Sequence, residues 1–402
     1  MKVNMNPMQA PVSTPIKPKK TVGVSIAVCI FVSLLVGVVG FAVGTRYQSL
    51  GSGRAQLDFS ELNDIYATLN DRFDGKLDRT KLMQGAAAGM VAAAGDPYTV
   101  YLTADDARAL TDDLSGSFEG IGIEIGQDSE GRLEIVSVLD DSPALEAGLR
   151  AQDVITGIND ESTLSWTPDK AVDQIRGPSG STVKLAILRD GATQEFSITR
   201  ARITNPSVRS EIVDGIGYLR ISRFGDDTAS LTEQAATQFK EANVKGIILD
   251  LRGNGGGYVD SAQAIASLWL KPGSVVVQER RGDRVFDTLK ASGDPTLLDV
   301  PTVVLIDGGS ASASEIVAGA LRDNGAAKLV GEESYGKGSV QELLTLRSGA
   351  GLKVTVAKWY TPKGSNINGD GLSPDVEVSM TAEQFDAGDD TQRAAAVDIL
   401  RK

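Results

Sequence analysis

The chain has 402 residues, more than one hydrophobic core normally organises, so two or three domains are expected; with 41% hydrophobic and 23% charged residues it is neither disordered nor fibrous. A formal charge of -13, with no dense basic cluster beyond the N-terminus, excludes nucleic acid as a partner. There is no histidine, and the single cysteine is Cys29, which excludes a Ser-His-Asp triad, a Cys-His pair, histidine- or cysteine-held metal and any disulfide within the chain.

Residues 1–20, with four prolines, read as a polar cytoplasmic tail. From Val22 to Val43 no residue is charged, and at about 1.5 Å per residue this run spans a hydrocarbon core of roughly 30 Å. A transmembrane anchor is therefore expected over 21–44. Lys17, Lys19 and Lys20 precede it, which places the N-terminus in the cytoplasm and the rest of the chain outside. A cleaved signal peptide is the rival reading, and the run is longer than the ~7–15 residues such a segment needs.

Over 55–115, Leu62, Ile65, Tyr66 and Leu69, then Leu82, Met83, Ala86 and Met90, recur at helical spacing. Asp96-Pro97-Tyr98 interrupts the pattern, and Thr103 with Asp106 forms a capping box that opens a further helix. Over 116–202 the pattern shifts to short β runs at Gly120–Ile125, Leu133–Leu139, Asp153–Ile158, Val183–Leu188 and Glu195–Thr199. Two short helices, Pro143–Gly148 and Pro168–Ile175, begin on proline, whose missing N–H costs nothing there. This order resembles a PDZ domain, with Gly120-Ile121-Gly122-Ile123 in the place of the carboxylate-binding loop. Over 203–380, apolar runs at Ile216–Ile221, Gly246–Leu251, Thr302–Ile306 and Lys328–Val330 alternate with helical stretches at Leu231–Phe239, Val259–Trp269 and Ser314–Leu321. That is an α/β core with a mixed or parallel sheet, and 381–402 reads as a terminal helix. The fold class is thus α/β multidomain: transmembrane helix, helical N-terminal region, PDZ-like β-rich module and α/β core.

Without histidine, a hydrolase must activate its nucleophile with lysine or a carboxylate, or use a carboxylate-bound metal. Ser310-Ala-Ser312-Ala-Ser314-Glu315 runs from the end of a buried strand into a helix, where developing negative charge is favoured; taken alone it also fits an ordinary helix cap. Gly336-Lys337-Gly338 sets a lysine between glycines after another strand, though a lone lysine is most often a surface one. Asp250-Leu-Arg-Gly-Asn-Gly-Gly-Gly257 is a strand and a glycine-rich turn suited to presenting backbone N–H groups, without the lysine of a phosphate loop.

Together, in this order and joined to the PDZ-like module, these segments resemble the carboxy-terminal processing peptidases, also called tail-specific proteases. The resemblance runs from about Leu57 to Val378. It implies that Ser312 is the nucleophile and Lys337 the base, that Gln341 orients the lysine, and that Ala313 with Gly256 or Gly257 forms the oxyanion hole. Asp323 matches an acidic position of supporting character, and Arg176, after the second helix of the module, matches a residue coupling module and active site. The resemblance implies no cofactor and no metal. It implies protein substrates with free apolar C-termini bound at Gly120–Ile123; the apolar run adds the membrane as a partner, and the sequence leaves open an adaptor or lipoprotein and a homo-oligomer. Two other readings compete: an anchored PDZ scaffold with an inactive peptidase-like core, and a metal hydrolase built on Asp250, Asp307 and Glu315.

Overall fold

The computed structural model describes residues 57–381, 384 and 388–402. The tail and anchor assigned to 1–20 and 21–44 lie outside the described residues, as does part of 381–402. Among the described residues no helix is long and apolar enough to cross a membrane. The chain divides into two compact units, Met1–Asp78 and Arg79–Lys402. In the first, helix Ser60–Arg72 carries the Leu62, Ile65, Tyr66 and Leu69 stripe.

The second unit opens with helices Arg79–Ala92 and Ala104–Ser115. Thr103 caps the latter: its hydroxyl accepts from the Asp106 amide at 3.2 Å, and the Asp106 carboxylate accepts from the Thr103 amide at 3.2 Å.

The single strand expected over Gly120–Ile125 is two. Ser117–Gly120 pairs antiparallel with Ala201–Thr204, forming the two-stranded ribbon by which the PDZ-like module enters and leaves the core. Ile123–Gln127 instead pairs with Leu133–Val138. The break falls where the chain changes sheets: Ile121 turns inward, 1% exposed, and its carbonyl accepts from the Ala144 amide. The module's sheet runs in the order Ile123–Gln127, Leu133–Val138, Val154–Ile158, Thr182–Arg189, Ala192–Thr199, which leaves Ile123–Gln127 at an edge beside helix Pro168–Ile175. Ile135, Leu149, Ile155, Val183, Leu185 and Ile187 fill its core. The buried Arg200 guanidinium ties the helix end down, donating to the carbonyls of Ile175, Gln174 and Thr182 at 2.7–3.0 Å.

The peptidase-like core is a six-stranded sheet ordered Val208–Val213, Ile216–Ile221, Gly246–Asp250, Thr302–Ile306, Lys328–Gly331, Val376–Glu377. Its first pair is antiparallel and the rest parallel. Every residue of Gly246–Asp250 and Thr302–Ile306 is buried, as continuous apolar runs require when both sheet faces are covered. The period-2 alternation sends Ile247, Leu249, Val304 and Ile306 to the face covered by helices Thr228–Glu241, Val259–Ser267 and Ala313–Asp323. Ile248, Val303, Leu305 and Val330 go to the other, where helix Thr391–Leu400 lays Ala396 against them.

A second sheet, not expected from the sequence, has Gly351–Tyr360 at its centre. Val100–Leu102, Val275–Arg281 and Ser339–Thr345 pair with that strand, and Arg284–Lys290 extends the far side.

Candidate active site

The glycine-rich turn and the serine run are laced together by Asn254, which is fully buried. Its side-chain amide donates to the Ile221 carbonyl at 2.8 Å, and its own carbonyl accepts from the Ala311 amide at 3.0 Å and the Ser314 hydroxyl at 2.8 Å. On the strand side, the Ser310 hydroxyl donates to the Leu251 carbonyl at 2.8 Å. Ser310 and Ser314 thus serve the scaffold with their hydroxyls and are 0% exposed, whereas Ser312, between them, keeps partial access to solvent.

Ser312 has φ +56° and ψ −111°, a backbone conformation that costs a non-glycine residue about 1–3 kcal/mol and persists only where surroundings enforce it. Two features enforce it here. The first is Gly256, φ +102°: a Cβ there would lie 2.8 Å from the Ser312 Cβ and 3.0 Å from the Ala313 nitrogen, so only glycine lets the turn approach this closely. The second is Glu315, whose carboxylate accepts from the Ser312 amide at 2.7 Å.

Glu315 is 0% exposed and accepts three further bonds from the segment carrying the lysine. The Ser334 hydroxyl donates at 2.6 Å and the Gly336 amide at 2.7 Å to one oxygen; the Lys337 amide donates at 3.1 Å to the oxygen that also holds Ser312. One buried carboxylate therefore joins the two segments that the sequence separates. Burial pushes its own pKa up, and its four donors work against that rise.

Lys337 is half-buried. Burial pushes its pKa below the usual lysine value, Lys353 adds to the fall, and Glu315 opposes it. The flanking glycines let the loop lie close on residues 366–371: a Cβ on Gly338 would run into the Asn368 backbone. The lysine Nζ sits 5.8 Å from the centre of the Tyr98 ring, and no hydrogen bond joins it to the Ser312 hydroxyl among the described residues. Such bonds are often long in a ligand-free enzyme and tighten with substrate. Tyr98 is fixed from behind, for Asp96 accepts from its amide at 3.2 Å, and the Thr99 hydroxyl accepts from the Thr355 amide at 3.0 Å.

The structure places the other expected residues as follows. Gln341 donates to the Tyr98 carbonyl at 2.6 Å and so holds the tyrosine segment. The Gly256 amide is engaged by Asn254 Oδ1 at 2.9 Å, and its carbonyl accepts from Phe224. Ala313 lies in the first helical turn, where amides have no partner within the helix. Asp323 ends the same helix, about 16 Å along it from Ser312 at 1.5 Å per residue; there it pairs with Arg322 at 3.3 Å and accepts from the Lys363 amide at 3.0 Å, a structural anchor away from the serine. Arg176 caps the end of helix Pro168–Ile175 and lies over the Phe118 ring at 5.4 Å, lining a 960 Å³ cleft with Asp112, Asp173 and Arg202. In the Gly120–Ile123 loop, the Gly122 carbonyl accepts from the Leu139 amide, and the loop leads into the open edge of the module's sheet.

The three carboxylates of the metal reading go to separate tasks. Asp307 accepts from the Gly253 and Gly309 amides at 2.8 and 2.9 Å, and Glu315 joins the two loops. Asp250 meets Arg252 at 2.7–2.9 Å, and that guanidinium also binds Asp390 at 2.8–2.9 Å and Gln392 at 2.9 Å. Tyr218 donates to Asp250 at 2.5 Å; its burial beside that carboxylate pushes its phenol up to about 12. Local spacing gave no sign of the parts played by Asn254 and Glu315, since each draws its partners from distant segments.

Comparison with known proteins bears on this geometry. Residues 215–378 match Peptidase family S41, residues 109–188 match the PDZ domain, and residues 45–106 match the N-terminal domain of the activating protease CtpB. The chain is 37% identical over 338 residues to the carboxy-terminal processing protease CtpB of Bacillus subtilis, covering 82% of this chain and 69% of that one. It is 36% identical over 345 residues to the carboxy-terminal-processing protease of Bartonella bacilliformis, covering 83% and 78%. Among solved structures it resembles the photosystem II D1 C-terminal processing protease, with a TM-score of 0.50, 30% identity and coverage of 80% and 87%. A serine run on a strand-to-helix turn, a glycine-rich turn packed against it and an inserted PDZ module coincide with these relationships, and the chain belongs to the carboxy-terminal processing proteases, serine-type peptidases of family S41.

Proposed function

We propose that this protease cleaves peptide bonds with Ser312 as nucleophile and Lys337 as general base, acting on the C-terminal regions of extracytoplasmic proteins from an anchor at residues 21–44. The observation that carries the reading is the shared acceptor. Ser312 and Lys337, far apart in sequence, both donate their amides to the same oxygen of Glu315, in a site where burial disfavours the charged lysine. Neutral Lys337 takes the Ser312 hydroxyl proton as the serine oxygen bonds to the scissile carbonyl carbon, and returns it to the leaving amine as the C–N bond breaks. Water, deprotonated by the same lysine, then releases the acyl-enzyme.

The oxyanion is assigned to the amides of Ala313 and Gly257. Gly256 presses its backbone onto the serine while its own amide is held by Asn254, which favours the next glycine as the second donor. The free edge of Ile123–Gln127 accepts an extended substrate tail as an added strand, with the Gly120–Ile123 loop at its terminal carboxylate. Arg176, at the helix end facing the cleft, is the candidate for coupling this event to the site.

The test is cleavage of a protein bearing an apolar C-terminal tail by the purified chain, wild type beside Ser312→Ala, Lys337→Ala and the double variant. Each single change is expected to abolish cleavage, with the double no worse, because the two act as one unit. Cleavage surviving Lys337→Ala overturns the reading. Protease added outside intact cells, with a tag at Met1, checks the anchor: the large domain is expected to be digested and the tag protected.

A further inference from the structure

Glu315 occupies the position of an ordinary helix-capping acid, yet its environment is not that of a cap. Every group that meets its carboxylate is a donor: the amides of Ser312, Gly336 and Lys337 and the hydroxyl of Ser334. Three of them are backbone N–H groups, which cannot accept a carboxyl proton, and the Ser334 hydroxyl could take one only by giving up its own donation. The Ser334 hydroxyl is itself fixed, since it accepts from the Leu372 amide at 2.7 Å while donating to Glu315. The three fixed amides favour the ionised acid against the opposing push of burial, and they hold that charge away from water. An anion so placed carries a desolvation cost that a purely structural tie between two loops does not require.

We propose that Glu315 is a charged positioning residue of the catalytic site: its carboxylate fixes the backbones of Ser312 and Lys337 in one frame and supplies the negative charge that steadies the lysine when it takes up the serine proton. The inference deepens the Ser312–Lys337 reading and rests on it. Its logic is that of opposed demands on one amine. Before attack Lys337 must be neutral, and burial works toward that; during attack it becomes an ammonium in the same half-buried place, and a nearby fixed anion offsets the cost. The charged or titratable groups facing the amine are Glu315 from the Ser312 helix, Lys353 from strand Gly351–Tyr360, and the Tyr98 ring with Tyr335 beside it. Lys353 acts on the amine in the opposite sense to Glu315.

Glu315→Gln isolates the charge. With its amide oxygen toward Ser312 and Lys337, the glutamine keeps both bonds, and its NH₂ can donate to the Ser334 hydroxyl, which leaves the Gly336 amide and the Ser334 hydroxyl proton without their acceptor. The experiment is kcat/KM against pH on a C-terminal peptide, with kcat and KM separated, for the full-length chain as wild type, Glu315→Gln, Ser334→Ala and Lys353→Met. Removing the anion lowers the lysine pKa. The alkaline-rising limb of Glu315→Gln is therefore expected at lower pH than wild type, with kcat down about 10- to 100-fold and KM unchanged. Lys353→Met is expected to move the limb the other way. Ser334→Ala, which removes one donor and touches neither catalytic residue, is expected to lower kcat several-fold at constant KM, and it carries the test if the glutamine variant does not fold. A limb unmoved in Glu315→Gln, or wild-type kcat in either Glu315→Gln or Ser334→Ala, overturns the inference. These outcomes leave the dyad reading standing as long as Lys337→Ala is inactive; activity in Lys337→Ala sinks the dyad first.

Discussion

The serine and the lysine reach the site from opposite kinds of structure. Ser312 follows a strand buried on both faces and begins a helix in which every residue from Ala313 to Leu321 is buried. Lys337 rides on a loop between glycines and leads into strand Ser339–Thr345, exposed from Glu342 onward. The serine is thus fixed by the core and the lysine by a handful of polar contacts, so the site's adjustable half is the one to which the proposed mechanism gives the proton. A buried strand has no alternative packing, whereas a loop held by hydrogen bonds has several states close in energy.

Four changes break or sharpen that contrast. The largest effect is expected on the lysine side: Lys337→Arg keeps the charge and loses the neutral base, so kcat/KM should fall at least about 10⁴-fold while circular dichroism stays native. In the wild type the same measurement should rise toward alkaline pH along a limb below the ordinary lysine value of about 10.4, because the lowered pKa frees the base earlier; a flat profile contradicts the assignment. On the serine side the damage should appear as stability. Arg252→Leu takes the bidentate guanidinium from buried Asp250 and leaves it Tyr218 and the more distant Arg220, and denaturant unfolding should show a loss of about 1.5–3 kcal/mol. Gly256→Ala pushes a methyl group against Ser312 and should cost about 10²–10³-fold in kcat by displacing the oxyanion donors, with KM little changed. The smallest effect concerns neither side. Capping the substrate C-terminus as an amide should lower kcat/KM about tenfold through the PDZ module, and equal rates for amide and free acid would remove terminal recognition.

The contrast also explains what the sequence discloses. Ile216–Ile221, Gly246–Asp250 and Thr302–Ile306 are legible because strands covered on both faces must be apolar throughout. The second sheet is not: Val275–Arg281 and Arg284–Lys290 mix valine and leucine with arginine, lysine and aspartate, since much of their surface faces water. Ser312 and Lys337 emerge from motif order and the missing histidine. Glu315 reads as a capping residue or a metal ligand because three of its four donors lie in the segment from Ser334 to Lys337, out of reach of any local rule. Asp323 and Gln341 show the converse. Their positions in the pattern are legible, yet their contacts, with Arg322 and the Lys363 amide and with the Tyr98 carbonyl, are products of tertiary packing.

Helix Thr391–Leu400 has one more consequence, concerning time. It covers a face of the sheet that leads to Ser312, and its N-cap Asp390 and second residue Gln392 complete the hydrogen bonding of Arg252. Ribosomes deliver roughly 5–20 residues per second, so the nucleophile's strand exists for several seconds before its cover is made. The sheet that leads to Ser312 is therefore covered on both faces, and Arg252 fully partnered, only once helix Thr391–Leu400 is in place.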